Sequence, residues 1–203
     1  MIKDNENKNE KENLKDQDPN NQIQMISFIG YSKSGKTASI EKLISYLHHQ
    51  NYIVLAFKHI HQDNFSIDTP GKNTWKYSQA GADVVVSQSP DESAILFNRR
   101  MDPLLMVKSI KNLIKTSLKS DQRSNDKRII VIFEGVRDLE GKKVLCAKNL
   151  EEIKSQINPS IVAISGSIFS DDSELKSAKT EISVKFVNIL ENPEGLLKIL
   201  IIK

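Results

Sequence analysis

A chain of 203 residues with 38% hydrophobic side chains is long enough to bury one core of ordinary size. Its net charge of +3 announces no nucleic-acid or membrane surface, and no apolar stretch approaches the roughly 20 residues that span a bilayer. The single cysteine, Cys146, excludes an intramolecular disulfide and suits a reducing, cytoplasmic setting, where it reads as a small buried hydrophobe.

Residues 1–22 are rich in Asn, Lys, Glu and Asp, with four lysines against six acids, a net −2 that leaves about +5 for the remainder. So few apolar side chains cannot offset ordering entropy, and the segment is expected to be a disordered polar tail before a folded domain over 23–203. The first predicted strand is the apolar run Met25-Ile26-Ser27-Phe28-Ile29. Directly after it, Gly30-Tyr31-Ser32-Lys33-Ser34-Gly35-Lys36-Thr37 spells G-x-x-x-x-G-K-[ST], the phosphate-binding P-loop. A helical pattern follows from Ala38 to His49, with Ile40, Leu43, Ile44 and Leu47 on one face. Placement between strand and helix matters more than the string, because the loop amides and the helix N-terminus together form the anion site. Gly30 and Gly35 let the backbone bend around phosphates without a Cβ clash. Lys36 supplies a positive charge to the outer phosphates, and the Thr37 hydroxyl is a Mg²⁺ ligand.

The continuous apolar run from Tyr52 to Phe57 predicts a strand buried on both faces. It ends in Lys58-His59-Ile60-His61-Gln62-Asp63. His59 and His61, two apart on extended backbone, face the same side. They can ligate a transition metal with Asp63 as third ligand, contact phosphates, or hydrogen-bond a substrate. Asp63 and Asp68 lie where a switch-like segment would meet the metal or an attacking water. Asn73 to Ala80 is helix-compatible and stops at Gly81. Trp75, the one tryptophan, is expected to pack against the core. Strands are predicted at Asp83–Ser87 and Ala94–Phe97, then an amphipathic helix from Met101 to Leu118 carrying Leu104, Leu105, Val107, Ile110, Leu113, Ile114 and Leu118. The stretch from Lys119 to Arg128 is loop-like.

Ile129 to Phe133 is an uninterrupted hydrophobic strand ending at Glu134-Gly135-Val136-Arg137. Glu134 sits where a P-loop protein needs a strand-end carboxylate for Mg²⁺, a place usually held by Asp. Lys58 and Arg137 are cations placed to neutralise phosphates. A helix over Leu150–Ile157, strands at Ile161–Ile164 and Val184–Val187, and a last helix over Pro193–Ile202 complete the pattern. Strands alternating with helices predict an α/β fold, a mostly parallel P-loop NTPase-like sheet with helices on both faces. In such sheets ligands bind at the carboxyl ends of strands, where the clusters at 30–37, 58–63, 134–137 and 165–167 all fall.

These blocks taken in order resemble the MobB family. F-I-G-Y-S-K-S-G-K-T is followed by V-L-A-F-K-H-I-H-Q-D, then D-T-P-G-K-N-T, then Q-A-G-A-D, then I-F-E-G-V-R. The family pattern K-H-x-H-x-D falls on Lys58, His59, His61 and Asp63, and D-x-P-G-K-[DN]-[ST] on Asp68 and Pro70 to Thr74. A-G-A falls on Ala80, Gly81 and Ala82. Lys33 stands where the family usually has Gly or Asn, and Gln62 where a third His is common. The resemblance implies GTP binding with Mg²⁺, weak hydrolysis and a homodimer. It further implies an accessory role beside the guanylyltransferase that attaches GMP to molybdopterin. Since no Asn-Lys-x-Asp guanine signature is present, GTP over ATP rests on the resemblance. Two other readings of the residues remain open: a P-loop small-molecule kinase with Arg99-Arg100 as lid arginines, and a nucleotide-gated adaptor without significant turnover.

Overall fold

The computed structural model describes residues 24–118 and 128–200. The expected tail at 1–22, nearly all of the 119–128 loop and the end of the predicted last helix lie outside those residues. The chain divides into two compact units, Met1–His59 with Arg123–Lys203, and Ile60–Gln122.

The first unit is a five-stranded sheet built from β1 (Gln24–Ile29), β2 (Ile53–Lys58), β5 (Ile129–Glu134), β6 (Lys143–Cys146) and β7 (Ile161–Ser165), in spatial order β2-β5-β1-β6-β7. Every pairing is parallel. β1 therefore runs at the centre, as its buried Ile26, Phe28 and Ile29 require. Helix α1 (Lys36–His49) lays Ile40, Leu43 and Leu47 on one face of the sheet. Each such side chain contributes about 1.5–3 kcal/mol when fully buried. Leu196, Leu197 and Leu200 of α6 (Pro193–Leu200) complete that layer. The opposite face is closed by Ile153 of α4 (Leu150–Lys154), Ile168 of a 3₁₀ turn (Ser167–Ser170) and Ala178 of α5 (Asp172–Glu181). Helices on both faces leave the carboxyl edge as the open rim.

Some expectations are corrected here. β2 is a sheet edge, so its apolar run is half-buried rather than buried on both faces; Phe57 covers itself against Phe133 at 5.3 Å. Val184–Val187 contributes one parallel bridge, Ile164 to Phe186, instead of a strand. The α4 helix ends at Lys154, three residues before the predicted Ile157.

The second unit holds α2 (Asn73–Gln79), β3 (Val84–Gln88), β4 (Ser93–Phe97) and α3 (Pro103–Leu118). β3 and β4 form an antiparallel hairpin sheet of their own. α2 buries no residue, Trp75 being partly exposed. Of the predicted apolar face of α3, Val107 is buried while Leu105, Ile110 and Leu113 are exposed.

Candidate functional site

β1 delivers its chain into Gly30 at φ 145°, and the loop turns through Lys33 at φ 60° and Gly35 at φ 87° before α1 begins. Such left-handed residues alternating with ordinary backbone aim successive amides to one side, which makes an anion nest. Gly30 is obligatory for packing as well as for conformation. A Cβ there would lie closer than 3.0 Å to the Cys146 carbonyl oxygen. Gly35 is the N-cap of α1 and offers no side-chain cap. The other helices of eight or more residues are closed by side chains. Asp102 accepts from Leu104 and Leu105 N–H at α3, Asp171 from Ser173 and Glu174 N–H at α5, and Asn192 from Gly195 N–H at α6. The amides opening α1 are thus left for an external anion, favoured also by the helix dipole.

Lys36 curls back over the loop. Its Nζ donates to the Gly30 carbonyl at 3.1 Å and the Tyr31 carbonyl at 2.6 Å. The ammonium is therefore held at the nest. Ser34 is fully buried, and its Oγ has no hydrogen-bond partner. A buried hydroxyl left unmatched inside a phosphate-type loop is a polar group suited to a ligand. The Thr37 hydroxyl donates to Glu134 Oε1 at 3.2 Å, so the predicted loop hydroxyl and strand-end carboxylate do meet. Lys58, directly opposite Glu134 in the β2–β5 register, places Nζ 3.3 Å from Oε2 and 3.4 Å from Oε1. Hard oxygen donors on Thr37 and Glu134 fit Mg²⁺, which completes its shell with waters and phosphate oxygens. Among the described residues no three His, Cys, Asp or Glu side chains form a metal-holding group.

Arg137 braces the loop from the side. Its Nη2 donates to the Gly30 carbonyl at 3.3 Å and to Gln156 Oε1 at 3.0 Å, and the guanidinium lies 6.0 Å from the Tyr31 ring centre. The Tyr31 hydroxyl in turn meets Ser155 Oγ at 3.4 Å. His59 is tied by its backbone, donating N–H to the Glu134 carbonyl at 2.9 Å. Gly30 to Thr37, Lys58, His59, Glu134 and Arg137 thus come together in the first unit. His61, Asp63 and Asp68 belong to the second. There Asp68 Oδ1 accepts from Thr69 N–H at 2.8 Å and Thr74 Oγ1 at 3.0 Å, while its buried Oδ2 has no partner.

Sequence reasoning missed Ser27, whose hydroxyl donates to the Val136 carbonyl at 2.6 Å beneath the loop, and Gln156. Neither carries a motif signal. Cys146 is buried as expected, and burial pushes its thiol up to about 12, so it stays protonated and inert.

A parallel sheet whose central strand runs through a glycine loop into an uncapped helix defines a P-loop NTPase-like α/β protein. The chain belongs to the MobB family, molybdopterin guanine dinucleotide synthesis protein B, whose family model matches residues 25–167. It is 39% identical over 77 residues to the molybdopterin-guanine dinucleotide biosynthesis adapter protein of Haemophilus influenzae. That stretch is 38% of this chain and 43% of the relative, so the likeness spans less than half of the relative's length. The crystal structure of Bacillus subtilis MobB superposes with a TM-score of 0.68 at 18% identity, covering 89% of this chain and 100% of that one. A MobB homolog from Bacillus stearothermophilus gives 0.52 at 14% identity, covering 87% and 98%. At such identities the two structures speak for the fold alone.

Proposed function

We propose that the chain binds GTP with Mg²⁺ at Gly30–Thr37 and serves as an adapter in molybdopterin-guanine dinucleotide biosynthesis, beside the guanylyltransferase that attaches GMP to molybdopterin. The observation that carries this reading is the uncapped start of α1 behind a left-handed Gly35, with the Lys36 ammonium already at the loop. Loop amides and Lys36 bind the phosphates; Thr37 and Glu134 hold Mg²⁺, which supplies charge neutralisation at the phosphate oxygens. Lys58, His59 and Arg137 surround or brace the bound nucleotide. Glu134 also orients the water of a slow hydrolysis. Partner choice follows the name of the Haemophilus influenzae relative, an adapter. That name also supports the nucleotide-gated adaptor without significant turnover as a second reading. The protein acts in the cytoplasm, a reading supported by its lone buried thiol; no helix among the described residues is long and apolar enough to cross a membrane.

The test is calorimetric competition of GTP, ATP and their diphosphates, with and without Mg²⁺, on the wild-type chain and Lys36→Ala. Loss of a charge-assisted contact worth about 1.5–3 kcal/mol should weaken binding roughly 10- to 100-fold. Equal affinity of the two proteins would remove Lys36 from the site and the reading with it.

A further inference from the structure

Two glycines from different loops, Gly35 of the phosphate-type loop and Gly166 outside the motif, meet backbone to backbone. Gly166, after β7, has φ 97° and ψ −159°, a region that glycine alone populates. A Cβ there would lie closer than 3.0 Å to the Ser34 carbonyl oxygen, 2.9 Å from Ala147 N and 3.1 Å from the Ala147 oxygen. All three are main-chain atoms and cannot swing aside. A Cβ on Gly35 would meet Ser167 N at 3.0 Å and Gly166 Cα at 3.1 Å from the other side. The contact is also a hydrogen bond, Ser167 N–H donating to the Ser34 carbonyl at 3.0 Å. The turn itself is anchored, since Ile168 is fully buried and its N–H donates to the Ala147 carbonyl at 2.9 Å.

We propose that the turn Ser165–Ile168 positions the phosphate-binding loop, so that Gly166 and the Ser167 N–H set nucleotide affinity through main-chain contact alone. This rests on the nucleotide-binding reading above. The mechanism is the rigidity of one peptide unit. In a trans peptide the C=O and the following N–H point in opposite directions. Holding the Ser34 carbonyl against Ser167 therefore fixes the direction of the Gly35 N–H, a donor of the nest and the first amide of the α1 terminus. Released, the Ser34–Gly35 peptide is free to rotate, and the nest loses its preformed geometry. The hydroxyls of Ser34 and Ser167, one on each side of this bond, are both buried without partners, which leaves the main-chain bond as the tie between the two segments.

Ser167→Pro tests this. The position opens a 3₁₀ turn, where proline's φ is acceptable, and the extended ψ of Gly166 tolerates a following proline. The substitution removes the N–H and puts the ring Cδ where the hydrogen pointed at the Ser34 carbonyl, so the bond is broken and the two segments are pushed apart. Gly166→Ala is the steric counterpart. Gly141→Ala is the control: Gly141 is also left-handed, at φ 119°, with nothing within 4 Å of its Cβ direction. GTP–Mg²⁺ affinity by calorimetry, thermal midpoint by circular dichroism and amide exchange at 34–37 are read for each. Ser167→Pro should fold, weaken GTP about tenfold or more and speed exchange at Gly35. Gly141→Ala should lower the midpoint and leave affinity unchanged. A folded Ser167→Pro with wild-type affinity overturns the proposal, whatever becomes of Gly166→Ala. If Lys36→Ala loses GTP in the same assay, the nucleotide reading survives that failure; if the wild-type chain binds no nucleotide, both fall.

Discussion

Lys33 is the residue where conformation and charge pull in different directions. It occupies left-handed backbone at φ 60°, which costs a side chain about 1–2 kcal/mol, inside a loop whose family usually places Gly or Asn there. Lys33→Gly removes that cost and adds about 0.5–1 kcal/mol of unfolded-state entropy, for a net gain of about 0.5–1 kcal/mol. A rise of about 1–4 °C in thermal midpoint follows for a chain of this size. The exposed ammonium is lost at the same time, so GTP affinity at low salt should fall and depend less on ionic strength. A midpoint that drops on substitution would mean that Lys33 makes a stabilising contact outweighing its backbone strain. Strain at Lys33 was readable in advance from its place in the string. The posture of Arg137 was not. It was expected to neutralise phosphate, but a bond to the Gly30 carbonyl and to Gln156 depends on a contact 107 residues away in sequence, which no local pattern encodes.

Among the elements, α5 shows how a cap carries a pH dependence. Asp171 accepts from the Glu174 N–H at 3.1 Å, the Ser173 hydroxyl at 2.8 Å and the Ser173 N–H at 3.0 Å. The Glu174 backbone bond first, then the Ser173 hydroxyl, hold its carboxyl below the usual carboxylate range. A folded-state value below the unfolded one means stability that is present above the unfolded value of about 3.9 and lost as pH falls through the folded value. Asp171→Asn keeps a capping oxygen but cannot titrate. Its stability deficit against wild type, measured by urea denaturation, should be largest near neutrality, start to shrink below about 4 and vanish only once pH falls below the folded value. A deficit constant across that range would show that charge contributes nothing to this cap. The same element marks the limit of pattern reading. α5 and β6 were missed because neither has a strong period: β6 is four residues opening on a lysine, and α5 buries Ala178 alone. By contrast β1, α1, β5 and β7 were evident because strands buried on both faces and a helix with a three-four stripe leave long apolar signatures. β2 carried the same signature, and its edge position became clear only from the strand order.

At the scale of the whole molecule, the β3–β4 hairpin is one part whose burial is incomplete. Register pairs Val84 with Phe97 and Val86 with Ile95, which puts four apolar side chains on one face, exposed by 40%, 39%, 67% and 46% in that order. The opposite face, with Val85 buried, belongs to the unit's own interior. A two-stranded sheet is marginal in water, and a contiguous apolar face of this kind marks an association surface. The homodimer implied by the family resemblance suits it, since an uncharged face is self-complementary under a two-fold axis. Val86→Lys places one unpaired ammonium from each copy into such an interface, at a cost of several kcal/mol. The dissociation constant should rise by about 100-fold or more. In sedimentation velocity the wild-type chain should run as a dimer at micromolar concentration and Val86→Lys as a monomer, with far-UV circular dichroism unchanged. A dimer that survives Val86→Lys would place the interface elsewhere, and a monomeric wild type would leave this face to a different partner.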